Sequence, residues 1–311
     1  GNIVGLNISA GMKSVVSIYI LIPLILVPQL LLGGAMIKFD ELHENFTNER
    51  YVPVIGDVMA SRWAYEAITV DQFKSNRYEK MIFEYEMDAS QNDWYASFLI
   101  SDLKKKVTEC KFAAGKEKYQ YAYDNNIYKL KKYITFLSSL SGVDNSDLID
   151  KLGSGGFDSL KVAASNRVLA DLQSYFRSER LNAMSKRDSV LMLIEQRMGH
   201  DKIIEMKNEN YNEALADIVL NSTSKDKIYE TERFLIQKSD PVFMAPTSKA
   251  GRAHFYAPYK TVGRLNIDTL WFNVMAIWLM SLLFTVTLYF NVLKKLIDSL
   301  GSFAFLRKKK N

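Results

Sequence analysis

The segment TLWFNVMAIWLMSLLFTVTLYFNVL, residues 269–293, is 25 residues long and contains no charged side chain. A second uncharged apolar run, SVVSIYILIPLILVPQLLLGGAMI, covers residues 14–37. A helix needs about 20 apolar residues to cross the hydrocarbon core of a bilayer, and only a helix or a closed barrel satisfies its backbone in lipid. Neither run alternates as a barrel strand does. The sequence therefore predicts two transmembrane helices.

A signal peptide is an alternative interpretation of residues 14–37. The run is longer than the apolar core of a signal peptide, and Lys13 is the single basic residue before it. The chain begins at Gly1 rather than Met, which indicates a fragment or a processed product. We therefore favour a membrane span over a signal peptide.

The residues between the two runs are hydrophilic and show helical spacing of their apolar positions. The predicted fold class is all-α: a membrane protein in which two transmembrane helices flank a helical extracytoplasmic domain and a short amphipathic helix. The predicted parts are the end of a preceding helix and the first span at 1–40, an outer connection with the amphipathic helix at 41–75, the helical domain at 76–260 with a turn-rich break near 141–156 that divides it, and the last span with a basic tail at 265–311.

Basic residues near the second run indicate its orientation. Lys294, Lys295 and the basic positions of 307–310 follow the run, and basic residues close to a span mark the cytoplasmic side. Four basic residues also precede the run within 249–264, but long segments are translocated largely regardless of charge. We expect an inner (plasma) membrane protein with both termini in the cytoplasm and the middle domain in the periplasm.

The sequence contains no recognisable pattern of catalytic or ligand-binding residues. Cys110 is the only cysteine, and the three histidines have no ligand spacing. Residues 153–156 are glycine-rich but lack the Lys-Ser/Thr of a phosphate-binding loop. Asp144, Asp147 and Asp150 lack the Gly and distal Glu of a calcium loop and are typical of a solvated turn. We predict no catalytic, metal or cofactor site in this chain and no nucleic-acid partner.

The first run contains two helix-perturbing residues. Pro23 and Pro28 each remove a backbone donor, and Gly33 and Gly34 follow near the predicted outer end. Such residues are tolerated in a span where neighbouring helices or a cavity satisfy the freed carbonyls. Two interpretations stay open: ordinary helix packing, or a helix that lines a pathway.

The outer connection contains the predicted amphipathic helix, at 52–73. Arg62 and Glu66 are four residues apart and can pair on its polar side. We expect this helix to lie at, or dip into, the outer face of the membrane; the alternative is a surface helix of the soluble domain. Its apolar positions recur at helical spacing: Val58, Met59, Trp63, Ala67 and Val70.

The order of these elements resembles a known family. A Pro-containing run ends in Gly-Gly, and a short connection leads to Met-Ala-Ser-Arg-Trp-Ala-Tyr-Glu-Ala at 59–67. This is similar to the C-terminal membrane-domain portion of ABC exporters of the G subfamily, the White and pleiotropic-drug-resistance type. Residues 5–10 resemble the end of that family's fourth span, and residues 22–29 the bacterial version of its fifth.

The resemblance covers roughly residues 3–75 and 265–295, and the chain departs from the family in three ways. Its loop between the last two spans is far longer, it lacks the paired cysteines of animal members, and the ATP-binding domain and earlier spans lie outside it. The first two departures suggest a bacterial relative with an inserted helical domain.

The resemblance implies roles for particular residues. The fifth span would line the substrate cavity of a homodimer, with Pro23, Val27 and Leu30 facing the substrate and Ala35 and Met36 near the outer valve. Packing on neighbouring spans is the alternative role for these residues. ATP and Mg would be bound by an ATP-binding domain or subunit and not by this chain. The outer motif would comprise Arg62, Trp63, Tyr65 and Glu66.

The leading hypothesis is the permease part of an ATP-driven exporter, with the middle domain over the exit, where it would dock a periplasmic partner. The rival is a two-span receptor with a helical periplasmic ligand-binding domain. It explains the topology equally well but leaves the two prolines unexplained, and the short segment after residue 293 has no room for a signalling module. A structural or adhesion anchor remains as a third class by default.

Overall fold

The computed structural model describes residues 1–12, 14–37, 39, 50–152, 156–224 and 226–299. The chain divides into two compact units. The first, which we call the terminal unit, comprises Gly1–Asp71, Pro246–Phe255 and Tyr259–Asn311, and the second, the central unit, comprises Gln72–Ala245 and Tyr256–Pro258. The predicted basic tail, from residue 300 onward, lies outside the described residues.

Helices dominate the described residues, as the sequence predicts. Those before the central core are α1 (Asn2–Gly11), α2 (Val15–Leu31), α3 (Val54–Asp57) and α4 (Ala60–Lys74). The next are α5 (Phe83–Asp93), α6 (Ile100–Ala113), α7 (Gln120–Ser141), α8 (Ser146–Lys151), α9 (Ser159–Met198), α10 (His200–Asn210) and α11 (Glu213–Val219), followed by α12 (Thr269–Tyr289).

One described helix, α12, is long and apolar enough to cross a membrane by length and composition. It has 21 residues. Helix α2 is equally free of charge but has 17 residues, because the chain leaves the helix before Gly33. The coarse prediction of a mostly helical chain with a candidate span is confirmed, whereas the predicted second span stays a prediction.

Helix α1 packs on α12 in the terminal unit through one buried amide. Asn7 Nδ2 donates a hydrogen bond to the backbone oxygen of Phe284 at 2.9 Å, and Asn7 Oδ1 accepts one from Thr287 Oγ1 at 3.1 Å. A β-carbon at Gly11 would lie 2.9 Å from the side chain of Leu293. Polar bonds between apolar helices and close approach at a small residue are both typical of helix pairs in membranes.

Helix α4 differs from the predicted amphipathic helix. The stretch forms two helices, α3 and α4, rather than one. Arg62 and Glu66 are paired but buried, so they lie on the packed side and not on a solvated polar side. Val58, predicted for the apolar face, and Ile68 are exposed. The prediction was wrong about the face because it assumed that charged side chains point to solvent.

The central unit has one hydrophobic core. Helices α5, α6 and α7 pack on the long helix α9 or on each other, and a π-helical segment, Trp94–Leu99, joins α5 to α6. Asp158 caps α9 by accepting a hydrogen bond from the Lys161 amide at 2.8 Å. The core side chains include Leu99, Leu103, Val107, Leu130, Ile134, Leu137, Leu169, Leu172 and Phe176.

The predicted break at 141–156 does not divide this core. Helix α8 lies within it, and Leu148 and Leu152 join the same cluster of buried side chains as the helices before and after. Residues 153–155 are outside the described part of the chain. The turn-forming residues therefore mark a connection inside one unit rather than a boundary between two.

Two short β-hairpins are the main departure from an all-α chain. Strand β1 (Ile228–Glu230) pairs antiparallel with β2 (Leu235–Gln237), and β3 (Tyr259–Val262) pairs antiparallel with β4 (Leu265–Asp268). The turn between β3 and β4 uses Gly263 at φ 63°, a conformation that glycine adopts without steric cost. Strand β4 continues directly into α12, whose first turn is capped by Asp268 Oδ1 accepting from the Leu270 amide at 2.9 Å.

Candidate functional site: a buried ionic cluster

The terminal unit contains a group of charged and polar side chains that are almost fully buried. Helix α4 contributes Arg62 and Glu66 one turn apart, strand β3 contributes Lys260, and the first turns of α12 contribute Asn273. Their exposed fractions are 2%, 0%, 1% and 0% respectively. We call these four residues, together with Asp57, the Glu66 cluster. Burying charge is costly unless each group is paired, so their partners decide what the cluster does.

Glu66 is the centre of the cluster. Its Oε1 accepts a hydrogen bond from Lys260 Nζ at 2.6 Å, and its Oε2 accepts one from Asn273 Nδ2 at 2.9 Å. Arg62 Nη1 lies 3.5 Å from the same Oε2. Burial by itself raises the pKa of Glu66, but Arg62, Lys260 and the hydrogen bonds from Lys260 and Asn273 outweigh it and lower the pKa. Glu66 is therefore held as a carboxylate.

Lys260 shows the opposite balance. Burial lowers its pKa, the Glu66 carboxylate opposes that effect, and repulsion from Arg62 adds to it, so the pKa is lowered overall. One carboxylate thus holds two mutually repelling cations in place. Removal of Glu66 would leave both cations buried without their common counter-ion.

Arg62 is held by both charge and an aromatic ring. Its guanidinium carbon lies 3.9 Å from the centre of the Trp63 ring, and its Nη2 lies 3.6 Å from Asp57 Oδ1. Trp63 Nε1 donates to the backbone oxygen of Asp57 at 2.8 Å, which fixes the ring. Among the described residues, Arg62 Nε and Nη1 donate no hydrogen bond. Asp57 also faces Arg252 at 3.8 Å, and burial raises its pKa despite both arginines.

The residues just before the cluster connect it to α2. Ser61 Oγ donates to the backbone oxygen of Gln29 at 2.5 Å, and the Ser61 amide donates to Gln29 Oε1 at 3.2 Å. A β-carbon at Gly33 would lie 2.7 Å from that backbone oxygen and 2.9 Å from Ser61 Oγ. Glycine at position 33 is therefore what lets α4 approach the end of α2 so closely.

Together these contacts make α4 a joint between two apolar helices. Its first residues are bonded to the end of α2, and its second turn is bonded to β3 and to the start of α12 through the Glu66 cluster. Breaking a buried ion pair by removing one partner costs about 3–5 kcal/mol. These contacts therefore hold α4 against α2, β3 and α12.

The structure uses all four residues of the predicted outer motif around this cluster. Arg62 and Glu66 belong to it. Trp63 stacks on Arg62 and lies 6.0 Å, between ring centres, from Phe272 of α12. The ring of Tyr65 lies 6.2 Å from that of Phe255. These four side chains therefore belong to the Glu66 cluster or lie beside it, and their predicted role as an outer motif stays a prediction.

Two residues of the cluster were missed or only partly recognised from sequence. Asn273 stands out as a polar residue in an apolar run, which indicates a bond to another helix. Lys260 is one of the four basic residues that precede the second apolar run, and the sequence indicates only its bearing on topology. Nothing in its local pattern signals burial, because its partner Glu66 lies 194 positions away in the chain.

The predicted pathway and valve residues lie apart from the cluster. Pro23, Val27 and Leu30 share one face of α2, since their spacing of four and three residues matches the helical repeat. All three are exposed, and α2 has no buried residue. Ala35 and Met36 follow the end of α2 and are also exposed. Their predicted roles stay predictions.

Comparisons of the chain with protein-family models, with curated proteins and with solved structures each gave no match. The residues and their geometry are therefore the basis for a functional proposal, beside the resemblance noted in the sequence.

Proposed function

We propose that this chain is the permease part of an ATP-driven exporter resembling the G subfamily of ABC transporters. In this proposal α2 and α12 are the last two spans, and α4 is the outer element that closes the substrate path. ATP, with Mg, is bound and hydrolysed by a domain or subunit outside this chain. Substrate passes along the face of α2 that contains Pro23, Val27 and Leu30, toward a valve at Ala35 and Met36.

The observation that carries the proposal is the double attachment of α4. Ser61 joins it to the end of α2, and Glu66 joins it to Lys260 and to Asn273 of α12. A transporter must convert a change among its spans into opening at the outer side, which requires elements that move as units. A short helix bonded to both spans supports that role.

Helix α2 has a free surface that a pathway or a homodimer could use. It is apolar along its whole length yet has no buried residue, so in a bilayer its sides are open to lipid, to other helices or to a substrate cavity. Pro23 and Pro28 free two backbone carbonyls, which are tolerated in lipid where protein or a cavity satisfies them. In the proposed orientation the central unit lies in the periplasm and docks a periplasmic partner.

The test begins with isolation of the protein from the membranes of its own host, through a tag at Gly142. This residue is exposed and ends α7 in a left-handed conformation, φ 71°, so the tag is inserted after Gly142 and the glycine is kept. Mass spectrometry then identifies any ATP-binding domain in the same polypeptide or bound to it. We expect such a domain, with ATP hydrolysis that a Mg chelator abolishes.

The Glu66 cluster gives the sharper arm of the test. We expect Glu66→Gln to lower substrate-stimulated ATP hydrolysis by roughly tenfold, the effect of about 1.4 kcal/mol, with membrane insertion retained. Glu84→Gln is the matched control, because Glu84 is an exposed glutamate on α5. Equal substrate-stimulated ATP hydrolysis in both variants would show that α4 has no role in the mechanism. A preparation without any ATP-binding domain would contradict the proposal that the chain belongs to an exporter.

A receptor is the second candidate, and the central unit favours it. That unit has its own hydrophobic core, to which α6, α7 and α9 all contribute, as a ligand-binding domain requires. A preparation without an ATP-binding domain, in which a small ligand protects the central unit from hydrogen exchange, would support the receptor instead.

A further inference from the structure

The central unit contains a pair of carboxyl groups that the proposed function does not use. Glu79 lies in a 3-10 turn, Glu79–Met81, just before α5, and Glu86 lies one turn into α5. The two carboxyl groups are close enough for each to shift the pKa of the other. Two carboxylates cannot form a hydrogen bond with each other, because both are acceptors only. A hydrogen bond between these two side chains therefore requires one proton.

Burial supports the same conclusion. Glu79 is 3% exposed, and its Oε2 accepts no hydrogen bond from any described residue. Its amide donates to Asn76 Oδ1 at 2.8 Å, which fixes the turn. A buried carboxylate oxygen without a donor is costly, whereas a protonated carboxyl in that place is not.

The surrounding groups come from four neighbouring elements. Tyr78 precedes the pair, Arg187 of α9 lies 3.7 Å from Glu86, and Lys207 of α10 acts on both carboxyls. Burial, and then the carboxyls of Glu79 and Glu86, raise the pKa of Tyr211, which follows α10. Arg187 is itself bonded to Asp188 at 2.8 Å, and Glu213 and Asp217 of α11 act on Tyr211.

A metal ion is a poor occupant of this place. No group of three or more potential ligand side chains occurs in the described ranges of the chain. Arg187 and Lys207 already place two cations beside the pair, and they would repel a third. The ligand that fits two adjoining carboxyls flanked by cations is a single proton.

We propose that a proton shared by Glu79 and Glu86 holds the turn Glu79–Met81 closed against α9 and α10, and that loss of this proton as pH rises opens this corner of the central unit. The opening segment comprises residues 76–86 and α10, which has no buried residue of its own. This is a pH-dependent latch, and it is independent of whether the chain is an exporter.

The direction of the pH response follows from linkage. Burial, and then Glu86, raises the pKa of Glu79 to about 8, from 4.5 in an unfolded chain. Burial also raises the pKa of Glu86. A group whose pKa is raised in the closed state stabilises that state fully below pH 4.5 and loses the effect as pH rises toward 8. Opening should increase about tenfold for each pH unit between pH 5 and 8 and level off above that.

Hydrogen exchange of the full chain in detergent measures the latch. Peptides covering 76–86 and 200–211 are followed from pH 5 to 9 in the parent protein and in Glu79→Gln, whose amide can donate to Glu86 at every pH. The exchange rate of the parent protein is divided by that of Glu79→Gln at each pH, which removes the intrinsic pH dependence of amide exchange. We expect this ratio to rise at least a hundredfold between pH 5 and 8. The upper limit is about a thousandfold, because opening increases about tenfold per pH unit over these three units.

Glu84→Gln is the matched control, since Glu84 is exposed on the same helix, and it should leave the parent profile unchanged. The parent protein and the Glu79→Gln variant should both carry His200→Gln, because a histidine can change charge between pH 5 and 8. His200 begins α10, and its ring lies 2.7 Å from Glu195. A ratio that stays constant with pH would overturn the latch.

Infrared spectroscopy provides a second readout. The parent protein should show an absorption of a protonated carboxyl at pH 6 that titration to pH 9 removes and that Glu79→Gln lacks. Absence of that absorption at pH 6 would refute the shared proton.

Discussion

Glu66 in the terminal unit and Glu79 in the central unit are both buried glutamates, yet their pKa values are shifted in opposite directions. Burial raises the pKa in each case. Glu66 has two cations and an amide donor, which together lower its pKa, whereas the carboxyl of Glu86 adds to the effect of burial on Glu79 and raises the pKa further. The partners, and not the depth of burial, therefore decide whether a buried glutamate is a fixed charge or a proton site.

The largest expected effect comes from removing the main partner of Glu66. Lys260→Met should destabilise the terminal unit by about 3–5 kcal/mol, because Glu66 would keep a buried charge with one cation fewer. Chemical unfolding of the detergent-solubilised chain measures the loss. Lys249→Met is the control, since Lys249 is exposed in the same unit. Similar unfolding of both variants would mean that Glu66 does not depend on Lys260.

A smaller effect is expected from the amide partner. Asn273→Leu removes the hydrogen bonds to Glu66 Oε2 and to the backbone oxygen of Trp63. Loss of a buried bond to a charged group costs about 1.5–3 kcal/mol. The same unfolding measurement applies, and Asn266→Leu in β4, where the residue is exposed, is the control. A stabilised Asn273→Leu variant would show that Lys260 and Arg62 suffice for Glu66.

The joint between α4 and α2 should be weaker than the Glu66 cluster. Ser61→Ala removes the bond from Oγ to the Gln29 backbone oxygen, which costs about 1 kcal/mol. Ser101→Ala on α6 is a control outside the joint. A loss equal to that of Lys260→Met would contradict the ranking of the two attachments of α4.

The smallest expected effect is the acid response of the Glu66 cluster. The pKa of Glu66 is lowered from 4.5, so its contribution to stability is full above that value and is lost as pH falls through the lower folded pKa. At pH 4 the loss should still be below about 1 kcal/mol. Exchange of α4 peptides should therefore increase in acid, whereas the Glu79 segment opens in base. The same pH response in both regions would invalidate the comparison.

The sequence predicts much of the terminal unit because its signals are local. The apolar run gives α12, and Asn273 is visible as a polar residue within it. The spacing of Arg62 and Glu66 predicts their pairing, but hydropathy patterning assigns charged residues to the solvent side, so it places the pair on the wrong face. The partner Lys260 depends on a hairpin that returns after the whole central unit, and no local pattern specifies such a long-range contact.

The central unit shows a different limit. Its helices follow from apolar spacing, yet the turn-rich stretch at 141–156 predicts a boundary that the structure does not have, because turn residues alone do not reveal that Leu148 and Leu152 are buried. The pairing of Glu79 with Glu86 was also not predicted. Two acids seven residues apart are commonplace on a helix, and no local pattern reveals that Glu79 is buried.

Helix α9 has a mechanical consequence. Its buried residues end at Ala183, although the helix continues to Met198. At a rise of 1.5 Å per residue the segment from Ala183 to Met198 extends about 22 Å, so a tilt of about 10° at Ala183 would displace Met198 by about 4 Å. A rearrangement too slight to detect in the core would thus be magnified at the tip. A spin or fluorescent label at Arg197 would be the most sensitive gauge of motion in this unit.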